Sequence, residues 1–224
     1  MTFYKLIWVT TKCIQLYRVQ LLKALLIPFI LSILLDLLAL AGSNIFIGII
    51  YYVLSIMLQT IFAVTTHRIM LLGPIHVPEW GILKWSRRES VFAIYVVLLV
   101  AIFYLTLFLP FLFIMFSQAA VLFFIVPIIY GVLFIPRLSL VFPAIAIGES
   151  YSLKDSWSIS KNDKKLMFFS VILIPLIVSI PVVLISKIPY TFLIVNVLSY
   201  SVTVITVTSL SLSYKYITEI SKDS

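Results

Sequence analysis

Two histidines and a glutamate are the residues of this sequence that come closest to a reaction centre. His67, His76 and Glu79 lie close together in the chain, and imidazole and carboxylate groups can bind zinc or move protons. The two histidines lie nine positions apart, however, which is not the i, i+4 spacing of a helical zinc site, and no HExxH pattern is present. The sequence therefore favours two partly exposed histidines at a basic membrane surface. It predicts that replacing both with alanine leaves folding and function near normal.

Other catalytic signatures are missing from the sequence. It has no P-loop, no GxGxxG and no GxSxG pattern. Cys13 is the single cysteine, which excludes an intrachain disulfide and a cysteine-based zinc site. We therefore predict no catalytic residue, no metal site and no cofactor, and favour a protein that is not an enzyme.

Polar residues inside apolar segments are the second place to look for chemistry, because burying them in a membrane is costly. Asp36 is the one acidic residue there, so it suggests a proton or cation site. The favoured alternative is a carboxyl group that reaches outward or bonds to Tyr51 or Tyr52. Two further segments carry polar stripes: Tyr52, Ser55, Gln59 and Thr66 in one, and Ser199, Thr203, Thr206 and Ser213 in the other.

Those stripes have two interpretations. They could line a polar path, with Asp36, Tyr52 and Gln59 as an intramembrane polar site of a small-solute or ion transporter or channel. Hydroxyl and amide stripes also serve helix packing in membranes, and the sequence favours that interpretation.

The composition places these residues in a membrane. Of 224 residues, 63% are hydrophobic and 11% are charged, whereas soluble domains carry about 25% charged residues. Segments of about 20 apolar residues are long enough to cross a bilayer. We predict an all-α integral membrane protein that forms a single membrane domain over 1–224, with six spans at 22–41, 45–66, 91–116, 119–136, 166–186 and 190–213.

Lysine and arginine are sorted between the two sides of this arrangement. The spans pair into three hairpins with short turns near 42–44, 117–118 and 187–189, and of 16 basic residues only Lys187 falls on the turn side. The positive-inside rule then puts both termini in the cytoplasm. The net charge of +8 comes with no nucleic-acid-binding motif, so no nucleic acid partner is predicted. The basic residues near the N-terminus do not resemble a cleaved signal peptide.

Landmarks that recur along the chain predict an internal threefold repeat, at about 1–74, 75–148 and 149–224. A tryptophan precedes each odd span, and a basic residue ends each even span; these residues are Trp8, Trp85, Trp157, Arg68, Arg137 and Lys215. HRIMLLGP at 67–74 also aligns with PRLSLVFP at 136–143. We predict parallel hairpin repeats, each introduced by a cytoplasmic interfacial segment.

The interfacial segments have their own signatures. The first is predicted to be an amphipathic helix, with Phe3, Ile7, Ile14, Tyr17 and Leu21 on one face and Lys5, Lys12 and Gln15 opposite. In the third, Ser152 and Asp155 have capping-box spacing. The second is predicted to begin a helix at Pro78, with a less regular apolar face that includes Trp80, Leu83 and Trp85.

The stretch PRLSLVFPAIAIGESYSLKDSWSISKNDKKLMF, residues 136–168, resembles uncharacterised bacterial six-span membrane proteins. The YciC-like proteins and the membrane domain of some glycerophosphodiester phosphodiesterases share its arginine, proline-alanine and serine-tryptophan pattern. The resemblance implies the bacterial cytoplasmic membrane and carries over no catalytic residue.

The leading functional prediction is contact with membrane lipids, anionic ones above all, or with a membrane partner or a second copy of the chain. A basic, tryptophan-bearing collar at the cytoplasmic surface would provide it. The collar residues are Trp8, Trp85, Arg87, Arg88, Trp157, Lys161, Lys164 and Lys165.

Overall fold

The computed structural model describes residues 1–41, 44–82, 84–114 and 125–222, and regular structure in those ranges is helical. Six helical segments are long and apolar enough to cross a membrane. The prediction of an all-α, multi-pass membrane protein is thereby confirmed. The predicted turn at 117–118 lies outside the described residues, as do Gly42 and Ser43 of the first turn.

The α-helices of the described ranges follow one another along the chain with short connections. They are α1 (Phe3–Leu16), α2 (Arg18–Ala41), α3 (Ile45–Leu72), α4 (Arg87–Ile114), α5 (Ile125–Ile129), α6 (Ile135–Leu138), α7 (Val141–Ile147), α8 (Leu153–Ile159), α9 (Lys164–Phe168), α10 (Ile174–Ile185) and α11 (Phe192–Lys222). The membrane-length segments are α2, α3, α4, α5 to α7, α9 to α10, and α11.

Several helices continue beyond the predicted spans. Helix α3 runs on past Arg68 to Leu72, and α11 continues past Lys215. Apolar length predicts where hydrocarbon ends, but backbone hydrogen bonding does not stop there, so polar turns extend the helices into the interface.

Two membrane segments contain a wide π-helical turn. Residues 130–134 precede Pro136, and residues 169–173 precede Pro175. Proline lacks the N–H that an α-helix needs, and its ring clashes with a preceding carbonyl, so a widened turn accommodates it. The chain thus stays helical through both prolines.

Helices α3 and α11 form the centre of the bundle. Helix α3 packs on α2, α4, α7 and α11, while α11 also packs on α1 and α10. We call the end with the α2–α3 and α10–α11 connections the loop end, and the opposite end, with α1 and α8, the basic end. The buried core lies toward the basic end, as Thr65, Ile69 and Ile217 illustrate. Near the loop end, many large apolar side chains face outward, as expected for contact with lipid.

The second interfacial segment corrects a prediction, because Pro78 does not begin a helix. Residues 77–82 are irregular, and the next helix starts at Arg87. Gly81 has φ of +85°, and a Cβ there would lie 2.1 Å from the Ala24 carbonyl oxygen. The segment therefore lies directly against the α2 backbone, with Val77 and Ile82 buried in the core.

The first and third segments are helical, as predicted. In α1 the buried side chains are Leu6 and Thr10, while Ile7 of the predicted apolar face is partly exposed. At α8, Ser152 and Asp155 form the predicted capping box, with the Ser152 N–H donating to Asp155 Oδ2 over 2.9 Å.

Candidate functional site

The three tryptophans of the predicted collar have different surroundings. Trp8 is 62% exposed, with Lys12 Nζ 5.4 Å from its ring centre. Trp85 is half-buried and donates from Nε1 to Ser90 Oγ over 2.8 Å. Trp157 is partly buried in a stack of side chains. Trp8 is therefore the most available of the three for contact with lipid.

Arg137 lies over the face of Trp157. Its guanidinium carbon is 3.3 Å from the ring centre, and its Nη2 donates to the Trp157 carbonyl over 3.0 Å. Phe134 stacks on the same indole at 5.2 Å, and Ser156 donates to the Arg137 carbonyl over 2.7 Å. These contacts fasten α8 to the end of the fourth membrane segment, so Arg137 and Trp157 are structural elements of the basic end.

The other two helix-end basic residues differ from each other. Arg68 donates to the carbonyls of Ala146 and His76, over 3.2 and 3.1 Å. Lys215 is exposed. Arg68 thus resembles Arg137 in bonding to main-chain carbonyls of a later segment.

Arg87 and Arg88, adjacent in sequence, are used differently. Arg88 binds the fully buried Glu89 through two nitrogens, Nε at 2.9 Å and Nη2 at 2.6 Å from Oε1. Glu89 also accepts from the Ser86 N–H over 3.0 Å, the reciprocal contact of a capping box. Arg87 remains exposed. The S-x-x-E spacing of Ser86 and Glu89 was a signal for the true start of α4.

Three collar lysines are free of ion pairs. The ion pairs among the described residues join the Met1 amino group to Asp163, Lys23 to Glu79, and Arg88 to Glu89. Lys161, Lys164 and Lys165 are outside these pairs and exposed. Together with Arg87 they leave a basic surface available for an anionic partner.

The candidate centre made of two histidines and a glutamate is divided in the structure. His67 is 1% exposed, and its Nδ1 lies 2.7 Å from Ser211 Oγ, so the prediction of a partly exposed histidine is wrong for this residue. His76 is exposed, as predicted, and Glu79 pairs with Lys23 at 2.5 Å. No group of three or more potential metal ligands is found within the described ranges.

A cavity of about 640 Å³ lies at the basic end, between the start of α4 and the chain before α8. It is lined by both arginines and both acids of this region, Arg87, Arg88, Glu149 and Asp155. Burial, aided by Asp155 and Glu149, raises the pKa of the lining residue Tyr151 to about 12. The Ser152 hydroxyl and its N–H hold the pKa of Asp155 below its usual value. The mixed charges do not favour a simple anion in this cavity.

A second cavity, of about 430 Å³, lies at membrane depth between α2, α3, α4 and α11. It contains much of the predicted polar site, because Asp36 and Gln59 both line it. Tyr52 does not: it is 68% exposed, and its neighbour Tyr51 lines the cavity and donates to Asp36 Oδ1 over 2.9 Å. The other polar lining residues are Ser55, Thr60, Asn196, Ser199, Tyr200 and Thr203.

Sequence reasoning found the α11 polar stripe but missed Asn196 within it. Asn196 lies three residues before Ser199, and that spacing places both on one helical face. Tyr51 was named as a partner for Asp36 but not as a site residue. Adjacent tyrosines cannot be told apart by sequence when the rotation of α3 is unknown.

A largely apolar groove of about 440 Å³ runs between α1, α2 and α11. Its lining includes Leu22, Leu25, Leu26, Phe29, Val197 and Val204. Arg18, at the junction of α1 and α2, is the charged residue of the lining, and it is exposed and outside the ion pairs described above.

Comparisons of the chain with family models, curated proteins and solved structures gave no match.

Proposed function

We propose that this chain is a cytoplasmic-membrane protein, without enzymatic activity, that binds anionic phospholipid at its basic end. The observation that carries the proposal is the apolar groove with Arg18 at its mouth. From Arg18 to Phe29, at 1.5 Å per helical residue, the α2 wall of the groove is about 16 Å long. One leaflet of a hydrocarbon core of roughly 30 Å has about that depth. An acyl chain lying along the groove brings its phosphate to the Arg18 guanidinium.

The exposed basic surface supports the same class of ligand. Arg87, Lys161, Lys164 and Lys165 are exposed and outside the ion pairs, and juxtamembrane basic residues attract anionic headgroups by about 1 kcal/mol each. The exposed Trp8 indole suits the interfacial layer. The collar is narrower in this proposal than in the sequence prediction, because Arg88, Trp85 and Trp157 already have partners within the protein.

The proposed orientation puts the basic end in the cytoplasm. Lys187 in the α10–α11 connection is the exception among the basic residues, so the positive-inside rule supports this direction. The variants Lys161→Cys and Lys187→Cys, in a Cys13→Ser background, test it. A membrane-impermeant maleimide added to intact cells should label the second and not the first; the reverse pattern contradicts the proposed orientation.

We also propose that the three hairpins are repeats of one unit. The similar use of Arg68 and Arg137, each donating to a later main-chain carbonyl, supports this for the first two units. The exposed Lys215 makes the third unit divergent.

The test of lipid binding is native mass spectrometry of the protein released from nanodiscs of mixed phosphatidylglycerol and phosphatidylcholine. Wild-type protein should retain phosphatidylglycerol preferentially, and Arg18→Gln should lower its retention several-fold. Lys187→Gln, which removes one exposed charge at the other end, is the matched control and should change nothing.

A second pair of variants separates the groove from general charge. Ser201 lines the groove from the surface of α11, so Ser201→Trp should fill it and lower phosphatidylglycerol retention. Ser179→Trp changes a serine of α10 that does not line the groove, and should retain lipid normally. Unchanged retention in both Arg18→Gln and Ser201→Trp would overturn the proposal. So would a stoichiometric protein partner lost on neutralising the collar lysines while lipid retention stays constant.

A further inference from the structure

The polar cavity at membrane depth has a ligand preference that its hydrogen bonds reveal. Asp36 is the charged residue of its lining, and no lysine, arginine or histidine accompanies it. Its carboxylate uses Oδ1 to accept from Tyr51, whereas Oδ2 has no protein donor among the described residues. The cavity thus offers negative charge to whatever occupies it.

The neighbouring polar groups also offer acceptors. The Ser199 hydroxyl donates to the Val195 carbonyl over 2.8 Å, and the Thr203 hydroxyl donates to the Ser199 carbonyl over 3.0 Å. Each hydroxyl has one hydrogen, so these bonds leave only oxygen lone pairs for the cavity. Asn196 likewise donates to the Phe192 carbonyl over 3.0 Å, which leaves its amide oxygen available. A ligand must therefore supply donors or positive charge.

Size and aromatic lining narrow the class further. About 430 Å³ is far more than the 30 Å³ or so of one water molecule, and it falls within the usual range for small-molecule sites. Tyr51, Phe62, Phe92 and Tyr200 contribute rings to the lining, and aromatic faces attract organic cations. These features fit an ammonium group carried on a small organic molecule better than a bare metal ion.

The cavity is closed toward the basic end. Phe62 packs on Tyr200 with ring centres 5.1 Å apart, and Phe92 packs on Phe142 at 4.9 Å. Phe62 and Phe92 are both buried. Asp36, Tyr51 and Asn196 lie within a few turns of the helix ends at the loop end, so the cavity is a pocket with a floor and not a continuous pore.

We infer that this cavity is a binding site for a small organic monocation, in which Asp36 holds the ammonium group and the acceptors of α11 complete its surroundings. The site goes beyond the proposed lipid function and is independent of it, because the lipid groove lies on the other side of Phe62 and Tyr200. Unlike the transport alternative predicted from the same spans, the inference requires binding only.

The test uses choline as the probe and 3,3-dimethyl-1-butanol as its uncharged analogue of the same shape. Calorimetric titration of the wild-type protein in phosphatidylcholine-free nanodiscs should give choline an affinity at least about tenfold higher than the analogue, because the carboxylate attracts charge that the analogue lacks. Equal affinities, or binding of neither probe, would overturn the inference without any variant.

Variants then assign the charge to Asp36. Asp36→Asn should lower choline affinity about tenfold or more and leave the analogue unaffected. Tyr52→Phe, at the exposed neighbour outside the cavity, should bind choline as wild type does. Phosphatidylglycerol retention by Asp36→Asn should equal that of wild type, which shows that the variant is folded. Wild-type choline affinity in a folded Asp36→Asn protein would also overturn the inference, while leaving the lipid proposal intact.

Discussion

His67 and Ser211 join the two central helices of the bundle, with Nδ1 of the imidazole 2.7 Å from the serine hydroxyl oxygen. The Ser211 hydroxyl donates its single hydrogen to the Val207 carbonyl over 2.8 Å, so it must accept from His67. The imidazole therefore carries its proton on Nδ1. The residue that the sequence presented as a candidate for chemistry is a buried connection between α3 and α11.

Replacing His67 should destabilise the protein. His67→Ala removes a fully buried ring and leaves a cavity, so we expect a loss of about 2–4 kcal/mol in the free energy of unfolding. His76→Ala, at an exposed side chain, should change it by less than about 0.5 kcal/mol. Chemical unfolding in detergent micelles measures both. Equal effects of the two substitutions would contradict the buried role of His67.

Arg137 should not tolerate lysine, although the charge is kept. Arg137→Lys loses the planar stacking on Trp157 and the geometry of two hydrogen bonds, so we expect about 1–3 kcal/mol of destabilisation. Arg87→Lys is the matched control at an exposed arginine and should be near neutral. Thermal unfolding of the two variants, followed by tryptophan fluorescence, makes the comparison. A shift as large in Arg87→Lys would show that the stack contributes nothing.

The sequence was sufficient for the class of fold, because apolar length and helix caps are local signals. Asp155 and Ser152 form the capping box that their spacing predicted, and the helical segments lie close to the predicted spans. The start of α4 is equally readable from Ser86 and Glu89, yet the prediction places it at Pro78. Proline is compatible with a first helical turn, but Gly81, at positive φ, bends the chain onto α2.

The rotation of each helix was not readable, and it decides the sites. Tyr51 and Tyr52 are adjacent and chemically alike, but only Tyr51 faces Asp36. His67 follows the polar stripe of its span, yet it is buried because α11 places Ser211 against it. Such contacts depend on tertiary packing between distant segments, which a periodic apolar pattern does not specify.

The α8 capping box should contribute a pH dependence. Because the Ser152 hydroxyl and N–H lower the folded-state pKa of Asp155, its stabilisation is present above the unfolded pKa of about 4 and is lost as pH falls through the folded value. Asp155→Asn should therefore be less stable than wild type at pH 7, with the difference shrinking below pH 4. Unfolding midpoints between pH 3 and 7 measure this. Ser152→Ala should weaken the same dependence, and a difference that grows toward low pH would contradict it.

Gly81 and Gly73 separate backbone strain from close packing. Both have positive φ, +85° and +89°, so alanine at either position adopts an unfavourable conformation that costs on the order of 1 kcal/mol. At Gly81 the new Cβ would also lie 2.1 Å from the Ala24 carbonyl oxygen, while at Gly73 it meets nothing within 4 Å. Because the Ala24 oxygen belongs to the α2 backbone, it cannot move aside as a flexible side chain could. Gly81→Ala should therefore lower the unfolding free energy by at least about 1 kcal/mol more than Gly73→Ala, with α2 or the 77–82 segment displaced. Equal losses in denaturant titrations of the two variants would show that residues 77–82 do not lie against α2.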